Sequence, residues 1–189
     1  MVYSANIPPT GAVVSESPFV RNLDVIAQIP DWGVMRAVTS GTNYIRDLAE
    51  TYLQQEPRES DEAWQSRIDR SVLSPYTSRI IETAAGAILR KPIRIEGNEY
   101  WQLFAENVDG LGSDITEYAR RAVVSSLTYG HSAILVDYPA ATEARNLAEE
   151  RALNRRPYFI HVDAEQIWGW RQETTMPGSP LTQVRIHEY

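Results

Sequence analysis

The stretch Ser113–Pro139 constrains the fold of this chain more than any other, because it sets a helix with both ends marked directly against a strand. Ile115, Tyr118, Ala119, Ala122, Val123, Ser126 and Leu127 recur at spacings of three and four, the pattern of one buried helical face. Ser113 or Asp114 caps the start, Asp114 and Glu117 put negative charge in the first turn, and Gly130 stands where a left-handed residue ends a helix. The apolar run Ser132–Tyr138 follows at once and Pro139 closes it. Too short to span a membrane and rich in strand formers, it predicts a central strand buried on both faces.

Other elements are punctuated in the same way. Residues 1–30 carry four prolines and no sustained period, which predicts an extended or flexible N-terminal arm. Residues 31–189 then read as one domain of helices and mixed sheet, with an α+β (mixed α/β) fold. Asp31 opens a short helix holding Trp32, Met35 and Val38, and Thr42 a second with Ile45, Leu48, Ala49 and Tyr52 on one face. Ser60 caps a third, with Asp61 and Glu62 at its start, Arg67 and Arg70 near its end, and Trp64, Ile68 and Val72 facing inward. Ser74-Pro75 opens a fourth, whose inner face is expected to be Tyr76, Ile80, Ala84, Ala87 and Ile88, with Lys91-Pro92 as the stop. Gly86 inside it implies a close neighbour.

Ile93–Ile95 is a candidate strand and Asn98–Val108 a brief aromatic helix, followed by the turn Asp109–Gly112. A surface helix over 142–154 would connect the strand ending at Pro139 to a second at Tyr158–Asp163 as a βαβ crossover. Ile167–Glu173 and Leu181–Tyr189 are expected to pair as a hairpin around Pro177–Pro180. Because Tyr189 stands inside that strand, the expectation is an N-terminal portion that continues in the intact protein.

Composition removes several function classes. With 18 basic against 25 acidic residues the net charge is −7, which opposes gripping nucleic-acid phosphate by counterion release. The chain has no cysteine, which excludes disulfides, thiolate chemistry and Cys-type zinc sites. No stretch has the length or continuity of a membrane span or secretory signal, so a soluble chain made in a cytoplasm is expected. His131, His161 and His187 share no metal-ligand spacing; His161 and Asp163 lie on one face of a strand, which supplies too few ligands for a metal. Ser125 and Ser126 fall mid-helix, not on a nucleophile elbow, and Gly110-Leu111-Gly112 is too short for a phosphate loop. No catalytic, cofactor-binding or metal residue is assigned. The acids Glu59, Asp61 and Glu62 and the cations Arg67, Arg70, Arg120 and Arg121 are read as solvated faces or subunit contacts.

Certain strings stand in a telling order. Glu50-Thr51-Tyr52-Leu53, then Arg58–Trp64, then Leu89-Arg90-Lys91-Pro92 resemble the opening of tailed-phage portal proteins. Asp109-Gly110, Tyr129-Gly130, Val136-Asp137-Tyr138-Pro139, Arg156-Pro157-Tyr158 and Ile167-Trp168-Gly169-Trp170 follow where such a protein would have them, over residues 30–189. Where the family places proline directly after Tyr-Leu, this chain has Gln54-Gln55-Glu56-Pro57.

The resemblance implies a non-enzymatic structural subunit of a ring, usually a dodecamer, at one capsid vertex of the virion. Double-stranded DNA would pass through it during packaging and ejection without sequence-specific binding. It also implies docking of the major capsid protein, terminase and tail adaptors, no cofactor, and an outer wing built from this portion. Two competing readings are a monomeric or dimeric adaptor with an aromatic ligand or peptide pocket near Trp168 and Trp170, and a hydrolase using His161 and Asp163.

Overall fold

The computed structural model describes residues 19–139, 156–173 and 179–188. It divides into two compact units, Met1–Trp32 with Glu165–Tyr189, and Gly33–Ala164. The described residues form seven helices and small two-stranded antiparallel sheets, a mixed α+β fold.

Helix α1 (Leu23–Ser40), of which Leu23–Trp32 belong to the first unit, begins eight residues ahead of the expected cap at Asp31 and runs through Pro30. The N-terminal arm is therefore helical from Leu23; residues 1–18 lie outside the described ones. Val25 and Trp32, one heptad apart, are both buried, and that burial outweighs the hydrogen bond that Pro30 cannot donate. A hairpin completes the described part of this unit. Antiparallel strands Ile167–Gln172 and Leu181–Ile186 place Ile167 opposite Ile186 and Gln172 opposite Leu181, with two register irregularities between. Asn22 holds the hairpin to the start of α1. Its N–H donates to the Trp168 carbonyl (2.8 Å), its amide to the Trp170 carbonyl (3.1 Å), and its own carbonyl accepts from Ile26 (2.9 Å).

The second unit is mostly helical. The helix expected over Thr42–Tyr52 is two, α2 (Thr42–Asp47) and α3 (Ala49–Tyr52), broken at Leu48. Helix α4 (Asp61–Arg70) starts as its sequence dictates, the Ser60 hydroxyl accepting from the Ala63 N–H. Trp64 donates to the Leu53 carbonyl (2.7 Å) and Ile68 is buried, but Val72 is 74% exposed. Helix α5 (Tyr76–Ile88) is capped by Pro75 with no side-chain bond, not by Ser74. Its buried residues are Ile81 and Ala85, whereas Tyr76 and Ile80 are each 68% exposed and Ile88 60%. The buried edge is thus shifted by one residue from the expected face, of which Ala84 alone is half-buried. Small Ala85, with no solvent exposure, lets α5 approach α7 closely in a way the larger residues could not.

Residues Ile93–Ile95 form no strand, although the Ile93 N–H is held by the Thr116 hydroxyl (3.0 Å). Gly86, expected to face a close neighbour, has none within 4 Å of where a Cβ would stand. Helix α6 (Glu99–Glu106) is capped by Asn98, and α7 (Ile115–Tyr129) by Asp114, whose carboxylate accepts from Thr116 and Glu117. Gly130 ends α7 in the left-handed conformation (φ 89°). The core around these helices is Phe104, Val108 and Tyr118 with Ile115 and Phe159 against them, Phe104 meeting Phe159 edge-on at 5.2 Å.

Strand β1 (Ser132–Asp137) is not central. Among the described residues it pairs with β2 (Tyr158–Asp163) alone, and antiparallel, Ser132 opposite Asp163 and Asp137 opposite Tyr158, so the two strands do not have the parallel pairing of a βαβ crossover. Ile134, Leu135 and Val136 are exposed on both faces of the strand. The expected helix over 142–154 lies outside the described residues.

Candidate functional site

Polar chemistry in the second unit collects in two places. The first is a cleft of about 600 Å³ between α5 and α7, reached by His161 and Asp163 of β2. Ser125 is drawn onto the buried side of α7, and its hydroxyl donates to Asp163 Oδ1 at 2.7 Å. His161 Nδ1 stands 3.7 Å from the same oxygen, outside hydrogen-bond reach, and its Nε2 is buried with no partner. A nucleophilic triad needs the hydroxyl to donate to the imidazole. Here the hydroxyl donates to the carboxylate and not to the imidazole, so the bond as formed ties α7 to β2. Arg120 and Glu82 close one side of the cleft by a contact between two half-exposed side chains, worth about 0–1 kcal/mol.

The second place is the turn between α6 and α7. Asp109 Oδ1 accepts from the N–H groups of Leu111 (2.9 Å) and Ser113 (3.1 Å), and Oδ2 from Arg121 (2.9 Å), which also donates to Ser113 Oγ at 2.6 Å. Burial works against this carboxylate, but bonds from Ser113, Leu111 and Arg121 outweigh it and hold its carboxyl well below the usual range. Gly110 and Gly112 supply the positive φ values (76° and 103°) that the turn requires.

The residues singled out as subunit contacts are distributed as follows. Arg67 forks onto Glu59, Nε to Oε1 at 2.9 Å and Nη2 to Oε2 at 2.8 Å, and also donates to the Gln54 carbonyl at 2.7 Å. The Arg67 bond lowers the Glu59 carboxyl despite an opposing desolvation. Asp61 accepts from Gln55 (2.9 Å) and Arg70 donates to the Ser66 carbonyl (3.0 Å). Glu59 and Arg67 therefore shape the loop ahead of α4, while Arg120 and Arg121 brace α7. The structure brings these seven residues to no common point.

In the first unit, Trp168 is stacked on His187 with ring centroids 4.2 Å apart and planes within 3°, and the Arg21 guanidinium lies 5.0 Å over the Trp168 ring. Trp168 is thus packed by its own unit. Among the described residues, no group of three or more His, Asp or Glu side chains is placed to hold a metal ion, and no helix is long and apolar enough to cross a membrane.

No family model matches the chain, and no curated protein is significantly similar to it.

Sequence reasoning missed the Ser125–Asp163 bond and the depth of the Asp109 network. Ser125 and Asp163 are 38 residues apart, and the only local signal was a serine next to an apolar helical face. For Asp109, the Asp-Gly turn was visible but the arginine that completes it lies 12 residues on, in the second turn of α7.

Proposed function

We propose that this chain is a structural subunit of a tailed-phage portal ring, a wall segment at the capsid vertex of a virion, made in the host cytoplasm. In that role it lines or supports the passage for DNA packaging and ejection and offers docking surfaces to terminase, capsid and tail adaptors. What carries the reading is the ordered set of portal-like strings and where each one falls in the fold. Leu89-Arg90-Lys91-Pro92 ends α5, Asp109-Gly110 builds the α6–α7 turn, and Tyr129-Gly130 closes α7. Val136-Asp137-Tyr138-Pro139 and Arg156-Pro157-Tyr158 bracket the paired strands, where Tyr158 Oη donates to Asp137 at 2.7 Å. Motifs that set element ends and pairings specify a shape to be assembled.

The acidic balance fits the same role, since a wall that passes DNA must offer no counterion-release term to hold it. Native mass spectrometry and negative-stain microscopy of the intact protein test the proposal. Closed rings of one uniform copy number are expected; a protein that stays monomeric or dimeric across micromolar concentrations would overturn it.

A further inference from the structure

Helix α5 carries a broad apolar face, only part of which is covered. Ile81 and Ala85 form the edge turned toward α7, and along the open flank of the same face Tyr76, Ile80, Ala87 and, at the C-terminal end, Ile88 form an exposed stripe. Among the described residues α5 packs chiefly on α7, by its Ile81–Ala85 edge, and the rest of this broad apolar face is exposed. Its surroundings are basic. From Arg70 to Arg94 the charged side chains are Arg70, Arg79, Arg90, Lys91 and Arg94, against one acid, Glu82, which is turned to Arg120. Arg79 lies directly beside Tyr76 and Ile80 on the helix surface.

Helix α6 is the counterpart. Leu103 is 59% exposed next to exposed Tyr100, and it sits in one row with Glu99 and Glu106. From Glu96 to Glu117 the sequence has acids and no Lys or Arg. Among the described residues, neither Arg79 nor Arg90 is ion-paired, and neither is Glu99 nor Glu106.

We infer that the α5 stripe of one copy docks on the Glu99–Leu103–Glu106 face of α6 in the next copy. The two faces are complementary in charge, apolar at their centres, and different from each other. A contact between unlike patches is heterologous, and repeated by rotation it closes a ring. Opposite rims steer the approach and fix the register, while the apolar centres supply the affinity. This inference rests on the ring reading above and adds to it which surfaces meet.

The absence of cysteine from the chain allows a direct test. In the intact protein, with any cysteine outside these residues changed to serine, a variant carrying both Ile80→Cys and Leu103→Cys should give, on mild oxidation, a ladder of covalent multimers, while each single variant should give none. Arg79→Glu with Arg90→Glu should raise the concentration for half-assembly about tenfold or more at low salt, and adding Glu99→Arg with Glu106→Arg should restore it. All these side chains are exposed, and circular dichroism checks that each variant folds; if the charge reversal fails to fold, the cysteine pair decides. Wild-type rings with no ladder and no response to charge reversal would overturn the docking and leave the ring reading standing. A wild-type monomer would overturn both.

Discussion

Removing the Asp109 carboxylate asks how much of the α6–α7 junction depends on one side chain. That side chain is 6% exposed, and its partner Arg121 is 47% exposed. Asp109→Asn keeps an amide oxygen for the Leu111 and Ser113 N–H groups and gives up the charge facing Arg121. Water resolvates a half-exposed guanidinium, so the expected loss is about 1 kcal/mol. Asp109→Ala leaves two N–H groups without their acceptor as well, at about 1 kcal/mol each, for about 3 kcal/mol in all. Urea unfolding of both variants at pH 7 reads the difference. A pH series adds an independent axis. Because the folded carboxyl lies below its unfolded value of about 3.9, its stabilisation is complete above that pH and is lost as pH falls through the folded value. The gap between wild type and Asp109→Ala should therefore shrink below about pH 4. Glu59 and Asp137 are lowered too, the latter chiefly by the Tyr158 hydroxyl, but they are common to both proteins and cancel in the difference. Equal losses for the Asn and Ala variants at pH 7, or a gap that stays constant down to pH 2, would refute this account of the turn.

Two further outcomes follow from packing. The Tyr118 hydroxyl is buried with no hydrogen-bond partner, so Tyr118→Phe should hold stability within about 0.5 kcal/mol or raise it by up to about 1 kcal/mol in the same urea assay; a loss above about 1 kcal/mol would mean the hydroxyl is bonded. Burial raises the phenol pKa, the Arg121 charge opposing, so ultraviolet titration should show one tyrosine ionising above the ordinary value, a signal missing from the Phe variant. At Gly169 an added Cβ would stand 2.4 Å from Asn22 Oδ1 and 2.7 Å from the Arg185 guanidinium. Gly169→Ala should cost about 1–3 kcal/mol by displacing Asn22, and the same change on an Asn22→Ala background should cost clearly less. Additive losses would show that the clash is elsewhere.

Features written in neighbouring residues could be read from the sequence: Ser60 and Asp114 as caps, Gly130 as the helix stop, the Asp109–Gly112 turn, and the hairpin of the last two strands. In each of them the deciding interaction spans at most a few residues or a single turn of alternating pattern. Features decided by distant partners could not. Pro30 reads as an end because its local cost is plain, while the burial of Val25 and Trp32 that overrides it is tertiary. Likewise the apolar run of β1 reads as central because apolarity reports a demand for cover but not its source; among the described residues β2 is its only ladder partner. The candidate site divides the same way. Glu59 and Arg67 were legible as charges of the α4 region, but their fork depends on a loop returning to the helix, and Ser125 meets Asp163 only through the packing of α7 on β2.

On α5 the periodic pattern was read with the right period and a buried edge one residue off, and the energetics of the exposed stripe bear on assembly. Tyr76, Ile80 and Ile88 are each about two-thirds exposed, so covering them recovers roughly 1–2 kcal/mol apiece, about 3–6 kcal/mol in all. Bringing two copies together costs at least about 4 kcal/mol in lost translation and rotation. One such contact between two free copies is therefore marginal, in the millimolar range at best once side chains are ordered. Closure changes the balance. Each copy in a ring makes the contact twice, and the last contact to form joins ends already held near each other, so it gains without a further association cost. The stripe by itself is thus too weak to hold a dimer, and in the proposed ring the rest of the interface supplies the remaining affinity; closure favours the circle over an open chain of the same length, which predicts few open intermediates between monomer and ring.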